Sequence, residues 1–264
     1  MDHTSPPSVI PLADQRMVCW GVAHDAHVIE IDVPDVGELI ERWPPIGLTF
    51  TKKPPAAVSR YLRLDTSAAA QPRSISLDDR LSVGWDRLES ELALFAAERL
   101  TGLVAIHAAV VAVDDVIVLV PGESGVGKST LCIAAAQTGA AVLSDEYALV
   151  DTTSGLVTGR NRPVRMRRTG GVDRLAIAVD SDPLPVGLVA VLRYDGSTTP
   201  SHSTITPGET AVSLMANTVC AQSRPDESLD AALAIAQVAR AIAGTRGAAA
   251  PAFAELARLV GAAG

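Results

Sequence analysis

Lys128 and Ser129, the acidic pair Asp145-Glu146, and His107 are the residues whose types and spacing could do chemistry in this chain. The first two close the stretch Gly122-Glu123-Ser124-Gly125-Val126-Gly127-Lys128-Ser129, which matches the phosphate-binding P-loop pattern at every fixed position. An apolar run, Val116 to Val120, leads into it, and Thr130-Leu131-Cys132-Ile133-Ala134-Ala135-Ala136 continues as a helix, which is the context the pattern requires. Glycines let the backbone curl so that its N–H groups point at phosphate oxygens, and the helix start adds the positive end of a dipole. Lys128 would sit on the outer phosphates, and the Ser129 hydroxyl would reach a magnesium ion. The segment from Gly122 to Thr130 is therefore expected to cradle a nucleoside triphosphate.

Ser144-Asp145-Glu146 stands at the end of the strand that follows the P-loop helix. If that strand runs parallel to the one before the loop, both end on the same side and the carboxylates face the phosphates. Consecutive residues leaving a strand point opposite ways, so one acid could hold magnesium while the other meets an incoming hydroxyl. Phosphoryl transfer uses these parts: a metal, a cationic clamp and a carboxylate beside the nucleophile. A polar turn is the plainer reading of an Asp-Glu pair, and the neighbouring P-loop is what outweighs it. His107, in the apolar run Val104-Ala105-Ile106-His107-Ala108-Ala109-Val110, would by itself be a structural histidine. Arg160, Arg162, Arg165, Arg167 and Arg168 form a basic stretch that is either a solvated face or a contact for phosphate or an acidic peptide.

The elements that must hold these groups can be read from periodicity. Strands are expected over residues 104–113, 116–120, 140–144, 148–150 and 186–192, with a turn at Asp114-Asp115 and a helix after the P-loop ending near Gly139. Asp86 to Leu100 reads as a helix through Leu88, Leu92 and Phe95, and the alanine-rich stretches Leu229 to Ala243 and Phe253 to Val260 read as two more. Ahead of these, residues 1–85 read as a small α+β module, after a proline-rich start. It has strands near residues 26–33 and 58–64, a short helix over Val36 to Trp43 and a linker over Thr66 to Ser76. The predicted division is thus 1–85 and 86–264.

Composition limits the function classes. Hydrophobic residues make up 48% of the 264, enough to build a core and exclude global disorder. A formal net charge of −8 argues against sequence-independent nucleic-acid binding. Cys19, Cys132 and Cys220 are far apart, neither a disulfide framework nor a zinc pattern, which fits a reduced cytoplasm. No signal peptide and no run long enough to span a bilayer is visible, so no membrane partner is expected.

The combination of His107 one strand ahead of the loop, the P-loop itself, and Asp145-Glu146 just after the P-loop helix resembles the catalytic domain of HPr kinase/phosphorylase and its relatives, among them the kinases of ribosomal precursor peptides such as lasso peptides. The similarity runs over roughly residues 86–264 and is strongest over 104–150. It implies an α/β P-loop kinase fold of the HPr kinase C-terminal type and an ATP- and Mg2+-dependent transfer to a hydroxyl. The implied acceptor is a serine of a peptide or small protein, with a free small molecule as the alternative acceptor and a non-catalytic nucleotide switch as the alternative in kind. It also implies self-association into a homo-oligomer. Residue by residue, Lys128 and the loop amides would hold the β- and γ-phosphates, and Ser129 and Glu146 would serve magnesium. Asp145 would position the acceptor and take its proton, with His107 as proton partner. Two departures are plain: the second acid is glutamate where the bifunctional enzyme has aspartate, and the family's downstream Glu-Arg-Gly signature is missing. The nearest stretch, Arg165-Met166-Arg167-Arg168-Thr169-Gly170-Gly171, makes Arg167 the candidate for the signature arginine and sets the reverse, phosphorolytic reaction and HPr as acceptor aside.

Overall fold

A computed structural model describes residues 17–22, 28–32, 48–50, 60–65, 74–76, 93–94, 97–159, 164–168, 171–175, 182–197 and 201–261. The chain divides into two compact units, Met1–Thr101 and Gly102–Gly264. In the first, β1 (Met17–Val22), β2 (Val28–Asp32), β3 (Leu48–Phe50), β4 (Arg60–Asp65) and β5 (Ser74–Ser76) form one sheet in the order β3-β1-β2-β4-β5. β1 pairs antiparallel with β2 and β3, whereas β2–β4 and β4–β5 are parallel. Residues 93–94 and 97–99 are helical, within the helix expected over 86–100. The proline-rich start, the helix expected at Val36–Trp43 and most of the linker after Thr66 lie outside the described residues; β5 occupies the linker's end.

The second unit is built on β6 (Leu103–Val113) and β7 (Val116–Pro121), an antiparallel pair joined at Asp114-Asp115. Asp114 has φ 52, the left-handed backbone that a two-residue hairpin turn demands. The rest of its sheet is β8 (Ala141–Ser144), β9 (Tyr147–Asp151), β10 (Val157–Gly159), β13 (Val186–Tyr194), β14 (Ser201–Thr204) and β15 (Arg240–Arg246), while β11 (Val164–Arg168) and β12 (Gly171–Leu175) form a separate hairpin. The path of the sheet is β10-β9-β6-β7-β13-β15-β14, with β8 also on β6. β7, β13 and β15 are mutually parallel, so three strands deliver their carboxyl ends to one edge.

Four helices cover the two faces: α1 (Lys128–Gln137), α2 (Pro207–Ala216), α3 (Pro225–Val238) and α4 (Ala249–Gly261). The alternation of the central strands decides which side each residue serves. Ile106, Val110, Ile117 and Leu119 pack with Leu214 of α2 and Ile235 of α3. Val111, Val118 and Val120 pack with Leu131 and Ala135 of α1 and with Phe253 and Leu256 of α4. Both faces of β6 and β7 are buried, which is why these runs are continuously apolar rather than alternating.

Two sequence expectations need correction here. The helix expected over 229–243 ends at Val238, because Ala239 turns to extended backbone and residues 240–246 become β15 beside β13. Alanine favours helix locally, but a strand slot between β13 and β14 prevails. A side chain at Gly244 would collide with the backbone of Ser201, so only glycine fits there. The second correction concerns α2, which the periodicity did not reveal. Its start is a capping box: Thr206 accepts from the Glu209 amide while Glu209 accepts from the Thr206 amide, with a proline in the first turn.

Candidate active site

β7 ends at Pro121, opposite Ala108 of β6, and the loop starts there, with the Gly122 amide bonded to the His107 carbonyl at 3.1 Å. β8 and β9 were expected as separate strands. They run in the same direction along the other side of β6, pairing with residues 110–112 and 103–107 respectively. Asp145 and Glu146 are the interruption between them. They protrude beside the end of β7 because β8 and β7 run the same way, with β6 between them. The acids thus stand at the break between β8 and β9, not at the end of a strand adjoining the loop strand.

That break is held in place. The Ser144 hydroxyl accepts from the amides of Glu146 and Tyr147, both at 3.1 Å, and the Ala108 amide donates to the Glu146 carbonyl at 3.1 Å. Cys132 of α1 points its thiol at the Ser144 carbonyl from 3.6 Å, tying the P-loop helix to the same bend. Burial drives the thiol's pKa well above the ordinary cysteine range, so it stays protonated.

The loop has the shape its glycines predict. Gly125 and Gly127 take left-handed φ values of 94 and 87, and Gly127 caps α1. The helix start has no side-chain cap and no acid in its first turn, as befits an N-terminus that presents amides and positive potential to an anion. Lys128 is buried, 7% exposed, and its ammonium donates to the carbonyls of Gly122 at 2.7 Å and Glu123 at 2.9 Å. Burial lowers the lysine pKa, while the carboxylates of Asp145 and Glu146 pull it back up. Ser129, the next residue, donates its hydroxyl to Asp145 Oδ2 at 2.5 Å.

His107 is half-buried in β6, with its ring centroid 5.8 Å from that of Tyr147. Burial first and the Lys128 charge second lower its pKa to about 4, against a smaller opposing pull from Glu146. The imidazole is neutral at physiological pH, so it can accept a proton through one nitrogen while donating through the other. The structure therefore gathers Lys128, Ser129, Asp145, Glu146 and His107 around one loop. Arg167 lies on β11 across from Val172, and its side chain lies outside the described residues, as do Arg160 and Arg162 altogether.

One residue of the site was missed. Arg246, at the carboxyl end of β15, is 4% exposed, and its Nη2 donates to the carbonyls of Val126 and Gly127, both at 3.0 Å. Nη1 donates to Gly247 O at 3.1 Å, and the guanidinium lies 5.6 Å from the centre of the Tyr194 ring. It grips the loop from a strand more than a hundred residues along the chain. The only signal in the sequence was an arginine closing a strand, and the first half of that strand was itself read as helix.

Magnesium needs hard oxygen donors and usually takes only one or two from protein, with phosphate and water completing its shell. The Ser129 hydroxyl and the Asp145 carboxylate, already in contact, fit that donor set. Among the described residues no group of three or more His, Cys, Asp or Glu could hold a metal without such help. Nor does any described helix have the length and apolarity to cross a membrane.

No family model matches the chain, and no curated protein matches it. Among solved structures, it is similar to the Hpr(Ser) kinase/phosphatase from Coxiella burnetii, with a TM-score of 0.34 and 14% identity, over 59% of this chain and 93% of that one. A likeness of that order assigns no residue a role, so the chemistry rests on the site itself.

Proposed function

We propose that this protein is an ATP-dependent phosphotransferase that passes the γ-phosphoryl group to a hydroxyl, the acceptor being a serine of a peptide or small protein. The observation that carries the reading is the 2.5 Å hydrogen bond from Ser129 to Asp145, which joins the P-loop hydroxyl to an acid at the same edge where Lys128 is buried. A glycine-rich turn without chemistry has no reason to bury a lysine among carboxylates.

In this reading the loop amides and Lys128 bind the β- and γ-phosphates, and the helix start adds positive potential. Ser129 and Asp145 hold magnesium, which when bound neutralises charge on the β- and γ-oxygens. Glu146 orients the acceptor hydroxyl and receives its proton as the new oxygen–phosphorus bond forms and the bond to the β-phosphate oxygen breaks, leaving ADP. His107, neutral beside Glu146, can relay that proton onward. This division exchanges the parts of the two acids relative to the family resemblance, and the Ser129 contact is what favours the exchange.

Intact-mass analysis with ATP, magnesium and serine-bearing peptides tests the function: one added phosphate on a peptide is expected, and ATP binding with no transfer to any hydroxyl would overturn it. The division of roles has its own test. Asp145→Asn should raise the magnesium concentration needed for ATP binding, while Glu146→Gln should keep Mg-ATP affinity within a few fold and slow transfer by roughly a hundredfold. If Asp145→Asn leaves magnesium dependence untouched and abolishes transfer, Asp145 is the base.

A further inference from the structure

Tyr194 closes β13 at the same edge of the sheet, and it is 59% exposed although its ring is large and apolar. Few large hydrophobic side chains of the described residues are so open; the others, Val212, Leu229 and Val238, are aliphatic and sit on α2 and α3. Tyr194 is not on a loose segment. The Asp195 amide donates to the Arg246 carbonyl at 3.1 Å, and the Asp195 carboxylate accepts from the Ser197 amide at 2.9 Å. Hydrogen bonds from Ser197 and Thr245 hold that carboxylate below the usual range, so the acid is spent on the turn. The turn also packs so closely on the end of β15 that a side chain at Gly247 would collide with the Ser197 carbonyl. An exposed aromatic ring thus stands beside Arg246, whose guanidinium in turn holds Val126 and Gly127.

We infer that Tyr194 is the platform on which the base of the bound nucleotide stacks. The inference rests on the nucleotide-binding reading of the loop and extends it to the part of the ligand that the P-loop does not touch. The distances suit it. The ring centre is at most about 10 Å from the Gly127 carbonyl through the Arg246 side chain, so the ring lies within a nucleotide's length of the loop. In open α/β sheets ligands lie across the carboxyl ends of adjacent strands, and β7 and β13 are adjacent and parallel here. Every base offers a π-face, so stacking on Tyr194 gives affinity for a nucleoside triphosphate without choosing strongly among bases. The neighbouring guanidinium is attracted to one face of the ring, leaving the other face for a base.

A purely structural role for Tyr194, supporting Arg246 and through it the loop, makes a different forecast, and inorganic tripolyphosphate separates the two. It presents the phosphates without a base. Titration calorimetry of the full chain with magnesium should show Tyr194→Ala weakening ATP roughly five- to a hundredfold while tripolyphosphate affinity stays within twofold. Tyr194→Trp should retain ATP affinity, and ATP but not tripolyphosphate should quench the new indole. Equal losses for both ligands in Tyr194→Ala, or no loss for either, would overturn the platform. Failure of the wild-type chain to bind either ligand would instead overturn the P-loop reading beneath it, a result distinct from any obtained with the variants.

Discussion

Gly127→Ala is the substitution whose cost can be worked out furthest from the structure. Gly127 has φ 87, so alanine there carries the left-handed strain of an L-residue, about 1–2 kcal/mol. The added Cβ would also lie inside the contact distance of Arg246 Nη2. A flexible side-chain tip could normally step aside at little cost. Arg246 cannot, because it is buried and its Nη2 is bonded to two loop carbonyls. Displacing it forfeits charged hydrogen bonds of about 1.5–3 kcal/mol each, partly offset because Gly127 O keeps the Leu131 amide. The expected total is about 3–5 kcal/mol. In an Arg246→Ala background only the strain should remain, so Gly127→Ala should then cost about 1–2 kcal/mol. A double-mutant cycle read by urea unfolding, followed by circular dichroism, should give a coupling of roughly 2–3 kcal/mol. Additive effects would refute the argument, since they would mean that Arg246 does not occupy the space behind Gly127.

Lys128→Ala should abolish ATP binding and, with it, any nucleotide-dependent activity; an unchanged ATP affinity in calorimetry would remove the P-loop argument. His107 should leave a signature in acid. Its folded pKa of about 4 lies below the ordinary 6.5, so the unfolded chain takes up the proton first and stability present above pH 6.5 is lost as the pH falls towards 4. The half-buried ring keeps some solvent, which trims the effect to about 1–2 kcal/mol. Urea midpoints of wild type and His107→Gln should therefore converge between pH 7 and pH 4, and parallel curves would contradict the burial.

Much of the second unit was legible because its signals are local. The continuous apolar runs of β6 and β7 mark strands buried on both faces, and Asp114-Asp115 marks the turn between them. The loop after β7 was legible through glycines whose backbone only they adopt easily, at Gly125 and Gly127. Asp145-Glu146 were expected at the end of a strand parallel to the one that leads into the loop. Their strand does run the same way as β7, yet β6 lies between, and the acids sit in the break between β8 and β9. The start of β15 misled because alanine's helical preference is a local property, whereas the slot beside β13 is a property of the sheet.

The sequence by itself determined which groups could do chemistry: a lysine and a hydroxyl on a glycine-rich loop, two acids, and a histidine one strand away. Those identities follow from residue types at short spacing, where the chain alone sets the geometry. Only the tertiary structure decided how they are paired. It joins Ser129 to Asp145, hides Lys128 among carbonyls and carboxylates, and brings Arg246 from a strand far along the chain to the loop, with Tyr194 beside it. Such contacts depend on strand order and direction, set by how the two faces of the sheet bury their helices, and no spacing along the chain encodes them.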